Sequence, residues 1–314
     1  MMGPFPLACA FARTSGLEST TMIRIGTASW TDPTLLASGL FYPAMASTPE
    51  TRLRYYASQF PLVEVNASYY AIPDAMQAHN WALRTPDAFK FHIKAFRLFT
   101  GHPTPVAALD KDLRDALADP AQSSIFYNQV PGEIRRELWG RFLQAIEPLR
   151  MADKLATVHF QFPPWVRPDA RGLSLLDEAS RQMEGHTIAF EFRHQSWLTG
   201  PQCQATLALE RDLGVVHTIV DAPQGFENTV PAVWESTHPD LALVRLHGRN
   251  TATWNHKGAA SSGRFMYDYT AAELADIAEH IRRLSAKIAR THVVFNTNYQ
   301  DQGMRNAKGL QQAL

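Results

Sequence analysis

Charged side chains stand where the strands of a packed sheet should be apolar. In Ala189-Phe190-Glu191-Phe192-Arg193-His194 and in Val244-Arg245-Leu246-His247-Gly248-Arg249, ions alternate with apolar residues. Residues two apart on a strand share a face, so Glu191 and Arg193 oppose Phe190 and Phe192. By the same parity Arg245, His247 and Arg249 oppose Val244 and Leu246. Taking an ion out of water is costly unless it is paired or hydrogen-bonded, so this pattern builds a site rather than a plain core. A carboxylate beside an imidazole suits acid–base work, and arginine forks suit carboxylate or phosphate.

The same parity at other strand ends extends the set. Thr27 and Ser29 are followed by Trp30. Glu64 and Asn66 precede Tyr69 and Tyr70. Lys90, His92 and Lys94 share a face, as do His159 and Gln161, His217 and Asp221, and Asn296 and Asn298. The expected roles are acid–base chemistry by Glu191 and His247, electrostatic stabilisation by Lys94, and support from Glu64. Arg193, Arg245 and Arg249 bind the anion, with Asn66, Gln161 and Asn296 as polar contacts. Trp30, Tyr70 and Trp197 are expected as stacking surfaces; for Tyr69 and Trp254 simple loop packing explains the residue equally well. A structural ion pair that plugs the barrel is the plain alternative for Glu191 with Arg193 and for Glu64 with Arg245. The surplus of cations over that need favours an anionic ligand. His217 reads as a hydrogen-bonded core histidine.

These residues must be held by strands, and eight short β-branched or aromatic runs provide them. They begin near Ile23, Leu62, Phe89, Leu155, Thr187, Val215, Leu241 and His292. Amphipathic stretches lie between, at about 50–60, 74–83, 133–150, 173–183, 202–213, 271–289 and 304–313. The clearest runs from Ala271, where Thr270 and Glu273 have capping-box spacing and Leu274, Ile277, Ile281, Leu284 and Ile288 form one apolar face. Strand–helix alternation over some 290 residues predicts an α/β fold, a single-domain (β/α)8 TIM barrel over 22–314. Helix six is weak because Pro223–Pro239 carries three prolines. A long insert follows strand three, about 96–152, and is expected to hold an extra lid helix. Residues 1–21 are expected to be a disordered extension. An open doubly wound sheet is disfavoured, since Gly26-Thr27-Ala28-Ser29 has one glycine where a phosphate fingerprint needs several.

Composition narrows the function. The 314 residues are 45% hydrophobic and 19% charged, with 30 basic and 30 acidic side chains and so no net charge. No global field favours non-specific nucleic-acid binding. Cys9 and Cys203 are too few for a disulfide framework, which fits a reducing cytoplasm. No apolar run approaches a membrane span. Signatures of serine hydrolases and of P-loop proteins are missing from the sequence.

The ordered motifs resemble the YecE-like family, a domain-of-unknown-function family with a TIM-barrel fold. They are Ile25-Gly26-Thr27-Ala28-Ser29-Trp30, Val63-Glu64-Val65-Asn66-Ala67-Ser68-Tyr69-Tyr70, Phe91-His92-Ile93-Lys94-Ala95 and Phe160-Gln161-Phe162-Pro163-Pro164. Glu191-Phe192-Arg193-His194-Gln195-Ser196-Trp197, Arg245-Leu246-His247-Gly248-Arg249 and Phe295-Asn296 complete the set. Together they run from residue 23 to about 310. The family often has a second Asn after the position of Asn296, where this chain has Thr297. The resemblance implies the barrel and assigns no reaction; kinship with endonuclease-IV-like and xylose-isomerase-like barrels is analogy. Three readings follow. The first is a metal-independent enzyme on a phosphorylated or carboxylated small molecule, with the chemistry of a hydrolase, isomerase or lyase and no cofactor. The second is a divalent-metal phosphodiester hydrolase on nucleic acid, with Glu191, Asp221, His247 and His159 as ligands. The third is a non-catalytic ligand-binding barrel.

Overall fold

The computed structural model describes residues 21–117, 122–255 and 261–314. The extension expected at 1–21 therefore lies outside the described residues except for Thr21. Eight parallel strands close into a barrel: β1 (Met22–Ala28), β2 (Leu62–Val65), β3 (Lys90–Lys94), β4 (Leu155–Gln161), β5 (Ile188–Glu191), β6 (Val216–Asp221), β7 (Leu241–Leu246) and β8 (Arg290–Phe295). Each pairs with its neighbours in sequence, and β1 closes on β8 with Gly26 opposite Val294. Gly26 is required at the β1–β2 seam: a Cβ there would stand 2.0 Å from the carbonyl oxygen of Leu62.

Among the described residues seven helices of nine or more residues coat the barrel: α1 (Pro49–Gln59), α2 (Ala75–Leu83), α3 (Gly132–Met151), α4 (Ala170–Gln182), α5 (Pro201–Asp212), α6 (Ala271–Ser285) and α7 (Gln302–Ala313). Among the described residues β6 passes to β7 without a helix, as the prolines predict. The α6 capping box forms as expected: Glu273 N–H donates to Thr270 Oγ1 at 3.3 Å, and Thr270 N–H donates to Glu273 Oε2 at 2.9 Å. Leu274, Ile277, Ile281 and Leu284 bury the predicted face, each contributing about 1.5–3 kcal/mol. The helix stops at Ser285 rather than near Ala289, yet Ile288 still packs on the core.

The insert after β3 divides into two parts. Its long helix, α3, is the ordinary outer helix of the third unit and packs against α2. The extra helix is only Lys111–Asp115. Arg141 on α3 ties it down by ion pairs to Asp110 and Asp112, so it belongs to the outer layer and is no lid. The turn Arg97–Thr100 roots the insert through Phe99, whose ring stacks on Trp139 at 3.7 Å. No helix among the described residues is long and apolar enough to cross a membrane.

Candidate functional site

A small apolar cluster of Ala28, Leu62, Ala189, Val216, Leu241, Leu243 and Val294 packs apart from the main core. It marks the barrel interior and fixes which parity of each strand points inward. Toward the carboxyl ends the same parity supplies Glu64, His92, His159, Glu191, Arg245 and His247, all buried.

Arg245 is the centre of this polar layer. One guanidinium nitrogen pairs with Glu191, and the other donates to Glu64 Oε1 at 2.7 Å. Glu191 also meets Arg193 Nε at 2.6 Å, accepts from Gln161 Nε2 at 2.6 Å and lies 3.2 Å from His247 Nε2. His159 Nε2 stands 3.3 Å from Glu191, and its Nδ1 is 3.7 Å from Glu64. Burial alone would raise the Glu64 carboxyl, but Arg245, with Lys94 beside it, overcomes this and holds it at about 2. Burial likewise opposes ionisation of Glu191, and Arg245 and Arg193 together keep it well below the ordinary value. An ionised carboxylate ringed by donors has no proton to give and few lone pairs to spare. Glu191 is thus a hub that orients its neighbours, engaged by Arg245, Arg193, Gln161 and His247.

The histidines of this layer are neutral. Burial, aided by Arg193, pushes His247 down to about 3 against the pull of Glu191. Asn296 Nδ2 donates to His247 Nδ1 at 2.9 Å, which puts the imidazole proton on Nε2, toward Glu191. Burial also pushes His92 down to about 3; its Nε2 meets His292 Nδ1 at 2.9 Å and its Nδ1 meets Thr157 Oγ1 at 2.6 Å.

Above this layer the mouth is positive. Lys94 Nζ lies 4.8 Å from the Tyr69 ring centre, and the Arg97 guanidinium lies 5.3 Å from the same ring. Among the described residues neither cation has an acidic partner, and Arg97 Nε is buried without a hydrogen bond. Arg193 sits 5.6 Å from the Trp254 ring. Burial lowers Lys94 to about 8, and Arg245 adds to this against Glu64 and Glu191. Two carboxylates thus face four cations. His102 closes one side, edge-on to Tyr69 at 5.3 Å and to Trp165 at 5.6 Å. Arg97 and His102 were not among the expected residues; the signal was the three-residue step from Lys94 to Arg97 across the end of β3.

Several expected residues lie elsewhere. On β1 the inward positions are Gly26 and Ala28, so Thr27 faces the helices and binds the Tyr56 hydroxyl of α1 at 2.9 Å. On β6 the inward positions are Val216 and Thr218. His217 therefore meets Glu210 of α5, with Nδ1 to Oε2 at 2.9 Å. Asp221 accepts from Arg249 NH2 at 2.8 Å and from the Tyr269 hydroxyl at 2.6 Å. That pairing, with Glu273 3.4 Å away, commits Arg249 to the rim instead of the anion site. It also keeps Asp221 from Glu191, His247 and His159, so the alternative ligand quartet does not assemble. Among the described residues no group of three or more His, Cys, Asp or Glu is arranged to hold a metal.

Trp197 is fully buried, stacked on Phe192 at 4.3 Å with its Nε1–H donating to the Val166 carbonyl; it is outer core, not a stacking surface. Trp30 and Asn66 line a side cleft with Ser29, Asn80, Trp81 and Arg84. The Asn66 Oδ1 there is buried without a partner among the described residues. Tyr70 is exposed, edge-on to Tyr69 at 5.0 Å. Lys90 points inward but binds Asp153 at the other end of its strand.

Comparison with known proteins places this geometry in company. The family model described as "Protein of unknown function DUF72" matches residues 24–314. The UPF0759 protein YunF of Bacillus subtilis is 31% identical over 296 residues, which cover 93% of this chain and 95% of that protein. A crystal structure of a DUF72 family protein from Enterococcus faecalis aligns with a TM-score of 0.75 at 26% identity, covering 93% of this chain and 95% of the other. A DUF72 family protein from Thermotoga maritima aligns with a TM-score of 0.72 at 26% identity, covering 93% and 98%.

Proposed function

The chain belongs to the DUF72 family, and on that footing we propose that its barrel mouth binds a small phosphorylated or carboxylated molecule and acts on it as an enzyme. The observation that carries the reading is the pair of cations on Tyr69, Lys94 and Arg97, left without acidic partners among the described residues. A half-buried cation without an acidic partner is costly, and a ligand anion relieves it. Arg193 is poised as a third contact, since Glu191 engages its Nε and leaves its outer nitrogens near His247. Neutral His247, held by Asn296 and Glu191, is the group at hand for a proton transfer.

Calorimetric titration at low ionic strength with inorganic phosphate, then with phosphorylated and carboxylated small molecules, tests this. Lys94→Met and Arg97→Met are each expected to weaken binding by about tenfold or more, as loss of a charged hydrogen bond does, with the melting temperature unchanged. Equal affinity in both variants would overturn the reading.

A further inference from the structure

We propose that Lys94 is a nucleophilic amine that condenses with the carbonyl group of an anionic aldehyde or ketone. The inference rests on the anion reading of the same mouth and adds the reactive group of the ligand.

The chain has seven lysines, and the structure sets Lys94 apart from them. Lys154 donates to Ala82 O at 2.6 Å, Thr85 O at 2.7 Å and Thr85 Oγ1 at 3.2 Å. Lys90 and Lys111 pair with Asp153 and Asp115, and Lys308 donates to Gln59 at 2.8 Å. Lys287 is exposed on the outer surface. Lys257 lies outside the described residues. Lys94 alone ends a barrel strand at the carboxyl face, with its ammonium over an aromatic ring and no acceptor within hydrogen-bond distance among the described residues. Burial, and Arg245 and Arg193 as like charges, outweigh the pull of Glu64 and Glu191 on it. An ammonium that is desolvated, deprived of acceptors and pressed by other cations sheds its proton more easily, which is what makes a lysine nucleophilic. Its lowered value of about 8 leaves roughly a tenth of it as free amine at pH 7.

The surroundings supply the rest of the reaction. Arg97 and Arg193 draw an anionic carbonyl compound to the ring of Tyr69. The free amine of Lys94 attacks the carbonyl carbon, and the carbonyl oxygen takes a proton. The resulting carbinolamine loses its hydroxyl as water while nitrogen and carbon form the double bond. The products are one imine on Lys94 and one water; no oxidant or reductant is consumed. Burial pushes the Tyr69 phenol up to about 12, so the ring under the amine stays neutral and adds no negative charge to hold its proton.

The test uses pyridoxal 5′-phosphate as a phosphorylated aldehyde probe on the whole protein, followed by borohydride reduction and peptide mapping by mass spectrometry. Lys94 is expected to be labelled at least tenfold faster than Lys287, and inorganic phosphate is expected to slow it. Lys94→Arg, which keeps the charge, is expected to lose the label and retain its melting temperature. Labelling of Lys94 no faster than that of Lys287, with phosphate still bound, would overturn the amine and leave the anion reading standing. Fast labelling that phosphate does not slow would overturn the anion reading and leave the amine.

Discussion

Two acidic and two basic residues lock one another in the barrel's polar layer, and Arg245 is the member that both carboxylates need. Replacing it with Met removes the partner of Glu64 and the main partner of Glu191. Breaking a buried pair from one side costs about 3–5 kcal/mol, so Arg245→Met is expected to lower the free energy of urea unfolding by that much. A loss below 1 kcal/mol, an order-of-magnitude bound, would mean that water reaches the carboxylates. The neutral histidines carry a pH consequence. His92 and His247 sit at about 3 in the folded chain, below the usual 6.5. Between those values the unfolded chain binds protons that the native one refuses, so stability is full above 6.5 and falls as pH drops toward 3. Glu64, held at about 2, extends the loss in the same direction at lower pH. Each buried imidazole is worth on the order of 2 kcal/mol at pH 5. The urea midpoint at pH 5 is expected well below that at pH 7.5, and equal midpoints would contradict a neutral, buried pair.

At the scale of strands, legibility followed the clarity of alternation. On β5 and β7 large apolar residues alternate with ions, so Glu191, Arg193, Arg245 and His247 were placed on the inner face from sequence, and the structure puts them there. On β1 every candidate is small: Gly26 and Ala28 alternate with Thr27, and polarity chose the wrong set. Thr27 is satisfied by Tyr56, a helix residue far along the chain, and spacing cannot show such a partner. On β6 both sets are mixed, and Glu210 and Tyr269 satisfy the outward polar residues. Trp197 was misassigned because an aromatic after a strand end reads the same whether it caps the mouth or seals the outer layer. Strand starts, helix six and the α6 cap were readable, since they depend on local chemistry alone. The β1–β2 seam gives its own prediction. Gly26→Ala would drive a methyl into the Leu62 carbonyl, and a loss of about 1–3 kcal/mol or more is expected in chemical denaturation. An unchanged midpoint would show that the two strands can part at no cost.

Across the whole molecule, the barrel closes by joining its first strand to its last. β1 pairs with β8 through six consecutive residues, from Met22 opposite Arg290 to Thr27 opposite Phe295, and α7 packs against β1. Among the described residues no other strand pair spans so much sequence. The polar layer depends on the same closure, because Glu64 comes from β2 and its Arg245 from β7. This has a consequence for a chain leaving the ribosome. Synthesis runs at about 5–20 residues per second, so the first strand waits on the order of ten seconds or more for its partner. Until then β1 keeps an open hydrogen-bonding edge, and Glu64 has no guanidinium. The nascent barrel is an unsealed sheet for most of its synthesis, and β8 is the strand that shuts it.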